Sequence, residues 1–307
     1  MVEAADWHGL NDRLLGMSKE NIARMYGTQL LSEKFHLPPP PINSQKMRNF
    51  EPPTDFDARQ KWSTCESLKL IRDQSNCGSC WAVSSASVMS DRICIASNGN
   101  HQPYISDEFI TACCRFFSYG CQGGSPLGAF LFWQFGIPTG GPFNTTYGCQ
   151  PYTIYCNGCK YTAPTPPCSH ECIPEYHGTF ENSLYYGTNV HWIRNNTMAQ
   201  YEIMNAGPID VTFLVYTDFM YYKGGIYQHV WGKFEAAHAV RLIGWGIEEN
   251  EPYWLVTNSW GTKWGMNGMT QMSQLKVLFA LIGLFKIRRG INECDIEENM
   301  LAGDAKL

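Results

Sequence analysis

From Cys80 to Ala96 the chain reads CWAVSSASVMSDRICIA, small and apolar residues with neither glycine nor proline. Nothing in it interrupts a helix, and a helix of this composition is expected to be buried, so the rest of the chain must build a core around it. With 307 residues, 44% hydrophobic and 14% aromatic, the chain can supply one large core or two modest ones, and a charged content of 17% argues against disorder. Cys80 falls near the N-terminus of this helix, where the positive end of the dipole lowers a thiol's pKa.

The residues just before the helix, RDQSNCGSCW, place Cys77 and Cys80 in a C-x-x-C pair that reads as a redox couple, half of a metal site, or a structural cysteine beside a nucleophile. A redox couple wants a strand before it in a compact βαβ unit, and a zinc site wants a second ligand pair nearby. Here the pair is followed by Trp81 and preceded by Gln74. A nucleophilic thiol needs an imidazole partner and a group to orient it, and two downstream motifs offer them. AAHAVRLIGWG carries His238 as a base, and PYWLVTNSWGTKWG carries Asn258 to hold the imidazole, with Trp260 to cover that bond from water. Gln74 can give a side-chain N–H to an oxyanion hole completed by the Cys80 backbone N–H.

Thirteen cysteines are many for a chain kept reduced in the cytosol. The sequons at Asn144 and Asn195 point the same way, towards an oxidising secretory route with glycosylation. Residues 1 to 30 hold no apolar run long enough for a signal peptide, so the expectation is that the chain starts late or that a signal has been removed. LKVLFALIGLF, residues 275 to 285, is too short for an ordinary membrane span, and a soluble protein is expected. A formal net charge of -5 without a long basic run gives no reason to expect nucleic acid or an anionic membrane as partner.

Three regions follow one another. Residues 11 to 34 carry Leu14, Leu15, Ile22, Met25, Leu30 and Leu31 at roughly helical spacing before HLPPPPINSQ, which reads as a helical arm and a linker. A helix-rich half follows. Beyond residue 185 the β-prone runs IDVTFLVY, HAVRLIGWG and PYWLVTNSW alternate with Gly-rich turns. An α+β molecule of two lobes with a cleft between them is expected.

From Pro52 onward the chain resembles the papain-family cysteine proteases, and within them the cathepsin B branch. FDARQKW, IRDQSNCGSCWAVSSASVMSDRICI, GCQGG, CQPY, GGIYQHVWG, HAVRLIGWG and YWLVTNSWGTKWG carry the resemblance. It implies a papain-like fold with a helical lobe, residues 52 to 185, and a β-barrel-like lobe, residues 186 to 307, with the active-site cleft between. Residues 1 to 51 are similar to part of a propeptide that occupies the cleft before removal. The implied chemistry is peptide-bond hydrolysis by a Cys80 thiolate and His238 imidazolium, with Asn258 and Gln74 in support and no cofactor or metal. Gly123 and Gly124 would pair with substrate backbone, and Trp260 would form part of the cleft. Implied partners are protein or peptide substrates, the chain's own propeptide and cystatin-like inhibitors, in a lysosomal or extracellular digestive setting. The alternative is a catalytically silent papain-fold protein that binds peptides or regulates.

The resemblance also implies disulfides Cys65 to Cys94, Cys77 to Cys121, Cys113 to Cys168, Cys149 to Cys172 and Cys156 to Cys159. It leaves Cys80, Cys114 and Cys294 over, with Cys114 a free, oxidisable thiol. A zinc site of Cys156, Cys159, Cys168 and Cys172 is the rival reading of CNGCKYTAPTPPCSHEC. Four departures from the branch carry expectations. Ala236 and Ala237 stand where glycine is usual, and their methyl groups narrow the primed side. The loop that would restrict cleavage to C-terminal dipeptides is reduced to CNGC without histidine, so endopeptidase activity should dominate, with His170 and His177 as residual carboxylate binders. The pocket for the second residue before the cut has Asn299 where an acid would pair with arginine, so apolar residues should be preferred there unless Glu297 or Glu298 reaches it. Residues 269 to 283 look inserted into a tight turn; the codons for Gly268-Met269 and Ile282-Gly283 can hold a splice donor and acceptor, so the expressed enzyme is expected to lack the segment, which transcript sequencing tests.

Overall fold

The computed structural model describes residues 14, 17–30, 35–40, 47, 49–155, 161–266 and 282–307. Helix α1 is Lys19–Arg24; β1, Phe56–Asp57, and the single turn α2, Ala58–Lys61, open the main body. The helical lobe holds α3, Cys80–Ala96, α4, Asp107–Cys113, and α5, Pro126–Trp133, ending in the short strand β2, Ile137–Pro138. The β lobe holds β3, Leu184–Ile193, helix α6, Asn196–Ala206, then β4, Ile209–Tyr216, β5, Ile226–Tyr227, β6, Phe234–Glu248, β7, Glu251–Thr257, β8, Leu284–Arg288, and β9, Asn299–Lys306.

Helix α3 has the bounds its composition predicts, and every residue from Cys80 to Cys94 is buried. It packs on β6 and β9 on one side and on α4 and α5 on the other, so it lies between two cores. One core gathers Trp81, Ile93, Phe109, Phe130 and Trp133; the other gathers Phe213, Phe219, Trp245, Trp254, Trp264 and Phe285 under the sheet. The sheet runs β2-β3-β9-β4-β6-β7-β8-β5, with β1 added to β6, along one path whose ends are not paired to each other among the described residues. Its neighbours are antiparallel except β5 with β8.

Buried ion pairs tie α3 to its surroundings. Arg241 of β6 meets Asp91 at 2.8 Å, and Arg92 meets Glu202 of α6 at 3.0 Å. Arg72 meets Asp107 at 2.8 Å and donates to Ser90 Oγ at 3.0 Å. Removing one member of such a pair would strand the other charge, at a cost of about 3–5 kcal/mol.

Cys65–Cys94, Cys77–Cys121, Cys113–Cys168 and Cys149–Cys172 are bonded. These bonds exclude the zinc reading, because Cys168 and Cys172 are committed elsewhere, and the redox-couple reading, because Cys77 is bonded to Cys121. The fifth expected pair, Cys156 with Cys159, lies outside the described residues. Cys114 is free as expected, but it is fully buried, which removes the exposure that oxidation needs.

The arm is less helical than its spacing predicts. Helix α1 ends at Arg24, and Thr28 forms bridges with both Gly124 and Ala237. Leu30, expected on a helix face, is 47% exposed instead. Local periodicity loses here to hydrogen bonds offered by distant strands. Most of the suspected insert lies outside the described residues, but its flanks meet: Met266 N–H donates to Leu284 at 2.9 Å and Gly283 N–H to Trp264 at 3.0 Å. Among the described residues no helix is long and apolar enough to cross a membrane.

Candidate active site

Cys80 is the first residue of α3. The loop before it is braced by Tyr152, whose hydroxyl meets Ser79 Oγ at 2.9 Å and donates to the Gln74 carbonyl at 2.9 Å. The Gln74 side chain is pinned at its oxygen, which accepts from Ser259 Oγ at 2.6 Å, so its amide N–H groups face the cleft. Nε2 donates to the Cys77 carbonyl and to the carbonyl of Met25 in the arm, both at 2.7 Å.

His238 comes from the other lobe, on β6 opposite Phe213 of β4. Its Nε2 lies 2.8 Å from Asn258 Oδ1. That oxygen also accepts from the Ser259 N–H at 2.8 Å, which orients the amide and makes Nε2 the protonated nitrogen of a neutral ring. Nδ1 is then the basic nitrogen, and it is buried without a hydrogen-bond partner. The Trp260 ring lies 5.0 Å from the imidazole and is fully buried, so the His238–Asn258 bond is shielded from water. The backbone of Ala239, next to His238, hydrogen-bonds to the Cys80 thiol, which brings sulfur and imidazole strand together.

The arm fills the space between. Gly27 N–H donates to Cys80 Sγ at 3.2 Å, and Thr28 Oγ1 lies 3.2 Å from the same sulfur. Gly124 N–H donates to the Gly27 carbonyl at 2.8 Å, Gln29 N–H to the Gly124 carbonyl at 2.8 Å, and Thr28 N–H to the Ala237 carbonyl at 3.2 Å. The segment is thus an extended strand held from both lobes. Glycine is required at 27, since a Cβ there would sit 1.8 Å from the Gly78 carbonyl oxygen, and at 124, where a Cβ would sit 2.6 Å from the Trp81 ring. The arm presents an amide N–H and a hydroxyl to the sulfur, neither of which a thiolate can attack.

Burial under the arm pushes the Cys80 thiol up, against hydrogen bonds from Ala239, Thr28, Gly27 and Trp81 that pull it down. Burial also lowers the His238 imidazole to about 4, opposed in part by the Asn258 bond. Desolvation penalises each charged form, so the covered site holds a neutral thiol beside a neutral imidazole.

Among the other expected residues, Asn299 lines a cavity with Leu30 of the arm, whereas Glu297 and Glu298 line a separate one. Glu297 is occupied by the Trp254 indole and the backbone of Gly290 and Asn292. His170 lies edge-on against Phe109 and near Phe180 of the helical lobe. Ser259, which positions Gln74, and Tyr26, whose ring lies 5.6 Å from His238 and 5.4 Å from Trp260, were not singled out from sequence. The adjacency of Ser259 to Asn258 was the signal available for the first; nothing local marked the second.

The profile of the papain family cysteine proteases matches residues 52–303. The chain is 39% identical over 280 residues to cathepsin B-like cysteine proteinase 6 of Caenorhabditis elegans, spanning 87% of this chain and 70% of that protein. It is 41% identical over 260 residues to the gut-specific cysteine proteinase of the same organism, spanning 83% and 74%. Among solved structures, procathepsin B S9 from Trypanosoma congolense superposes with a TM-score of 0.79 at 33% identity, over 94% of this chain and 89% of that one. With Cys80, His238, Asn258 and Gln74 gathered around one cleft and an arm lying through it, this chain belongs to the papain family of cysteine proteases.

Proposed function

We propose that the chain is the zymogen of a cathepsin B-like cysteine endopeptidase, with residues 1–51 as the segment removed on activation. The observation that supports this most directly is the seating of Gly27 and Thr28 on the Cys80 sulfur while Gln74 holds a peptide carbonyl. A group that can receive the oxygen of a carbonyl lies beside a thiol that can attack its carbon.

Once the arm leaves, water reaches the cleft and the burial that keeps both groups neutral is relieved. The thiol proton passes to His238 Nδ1, and the thiolate attacks the scissile carbonyl carbon. Gln74 Nε2 donates to the resulting oxyanion in place of its bond to Met25. The C–N bond breaks as His238 returns the proton to the leaving amine, and water then hydrolyses the thioester, regenerating the thiol. Asn258 holds the imidazole throughout, and Gly124 pairs with substrate backbone as it now pairs with the arm.

The loop CNGC carries no histidine to bind a terminal carboxylate, which favours internal cleavage over removal of dipeptides. The four disulfides among the described residues and the two exposed sequons, at Asn144 and Asn195, fit a glycosylated protein of a lysosomal or secreted digestive space, as does the similarity to a gut-specific proteinase. An inhibitor of cystatin type would compete for the strand position the arm holds. The test is hydrolysis of a blocked peptide library by arm-free protein, with Cys80→Ala as control. Absence of turnover, or release of C-terminal dipeptides faster than internal cuts, would count against the reading.

A further inference from the structure

Past the Cys80 sulfur the arm reaches a cavity that Gln29 and Leu30 close, walled by Asp210 and Thr212 of β4 and by Asn299 and Leu301 of β9. This is the pocket expected to take the second residue before the cut. Trp192 of β3, which stands opposite Leu301, also lines it, with Ser125 and Pro126 on the helical-lobe side. The same Trp192 lines the next cavity outward, together with Phe35 and His36 of the arm. One indole thus borders both cavities.

The arm touches both lobes a second time there. Trp192 Nε1 donates to the Phe35 carbonyl at 3.0 Å, and the Phe35 ring lies 4.7 Å from that of Phe117. Phe117 adjoins the first cavity, since its carbonyl accepts from the Ser125 N–H at 2.9 Å. Phe35 is 45% exposed, and Trp192 and Phe117 are half-buried, so the contact is a surface seat for a peptide rather than part of a core. What it grips, a backbone carbonyl and an aromatic ring, is not peculiar to the arm. When the arm leaves, the indole N–H and the Phe117 ring lose these partners together, while β3 and the turn after α4 that carry them stay.

We propose that Trp192 and Phe117 form a binding site for the substrate chain upstream of the scissile bond and beyond the pocket of the second residue, the indole N–H receiving a backbone carbonyl and Phe117 an aromatic side chain. The proposal rests on the protease reading and names the substrate class of that cleft: long, extended polypeptides with an aromatic residue several positions before the cut. Phe35 lies five positions beyond Leu30, at most about 17 Å of extended chain, so a substrate reaches the site by about the seventh residue before the cut. These contacts are far from the reacting carbonyl and are made alike in bound substrate and transition state, so they should lower KM and leave kcat alone.

Arm-free enzyme is assayed on blocked peptides that share the residues around the cut and carry from two to about eight residues before it, the added positions being alanine throughout or alanine with one phenylalanine moved along the extension. A neutral hydrogen bond and an aromatic contact each contribute a fewfold, so KM is expected to fall about tenfold from the shortest peptide to the best phenylalanine peptide, with kcat within about twofold. Trp192→Phe, which keeps a ring and removes the donor, should shrink that gain to about threefold. In the unmutated enzyme, a KM that ignores both length and phenylalanine overturns the proposal without recourse to a variant and leaves the protease reading standing. A tenfold gain that survives Trp192→Phe overturns it as well, because another group then holds the chain. An enzyme that cuts none of the peptides, the shortest included, overturns the protease reading itself and this inference with it; a gain that needs both the phenylalanine and the indole N–H supports both.

Discussion

Cys80 and Cys114 are both free, both fully shielded from solvent, and both held above the ordinary thiol range by burial. The cover over Cys114 is permanent: it belongs to the core of the helical lobe, and its thiol points at the Phe116 carbonyl at 3.7 Å. The cover over Cys80 is a strand from a distant part of the chain, seated by hydrogen bonds to Gly124 and Ala237. Equal burial therefore means different things in the two places. One thiol is inert because the fold closes over it, the other because a separable segment does, and only the second has a basic nitrogen and an amide donor waiting beside it.

The largest expected effect separates the two directly. In arm-free protein Cys80→Ala should lower kcat by about a million-fold, the scale seen when a nucleophile is deleted, whereas Cys114→Ser should retain both activity and the labelling of Cys80 by a thiol-directed epoxide. Labelling of both thiols in the folded enzyme would break the comparison. Gly27→Val should come next. Its Cβ would meet the Gly78 carbonyl, and overpacking of about 1–3 kcal/mol should speed labelling of Cys80 in the unprocessed chain by about tenfold or more while leaving Cys114 silent. Unchanged labelling would mean that the seat of the arm is elsewhere.

Acid should loosen the cover over Cys80 and not that over Cys114. Covered His238 takes its proton only near pH 4, while an uncovered imidazole takes one near its ordinary 6.5. In Cys80→Ala protein, where no thiol can hand its proton to the ring, the uncovered state binds more protons between these values, so the cover is stable above 6.5 and weakens as pH falls towards 4. Hydrogen-exchange protection of the Thr28 and Gln29 amides, corrected for intrinsic rates, should drop across this window; a flat profile would remove His238 from the account. The smallest effect concerns Ser259→Ala, which leaves the Gln74 oxygen without its donor. A fewfold fall in kcat/KM with little change in KM is expected, from about 1 kcal/mol of lost positioning.

Sequence reading reached α3 to its ends because small, apolar residues without glycine or proline admit few other conformations. It also singled out Cys80, His238, Asn258 and Gln74, each in a motif whose chemistry needs that residue type there, and the fold places these four around one cleft. It did not reach the extended run of the arm. The spacing of Ile22, Met25 and Leu30 satisfies a helix, and only the waiting edges at Gly124 and Ala237, far away in sequence, decide otherwise around Thr28. Asp210 escaped for a related reason. In IDVTFLVY the polar residues Asp210 and Thr212 look like ordinary alternation on a half-solvated strand, yet the face that carries them looks onto α3 and the cleft. The pairing of Glu297 with Trp254, which removes it from the pocket, likewise depends on a strand it never touches in sequence.

The strand that the arm makes between Gly124 and Ala237 also measures the opening. A gap bridged from both sides by one extended backbone is about two strand spacings across, near 10 Å, which a helix of about 10–12 Å with its side chains would fill without finding a partner for its already bonded amides. Folded helices and the interiors of sheets are therefore poor food for this cleft, and a native protein is expected to be digested at the pace at which its own segments fray or unfold.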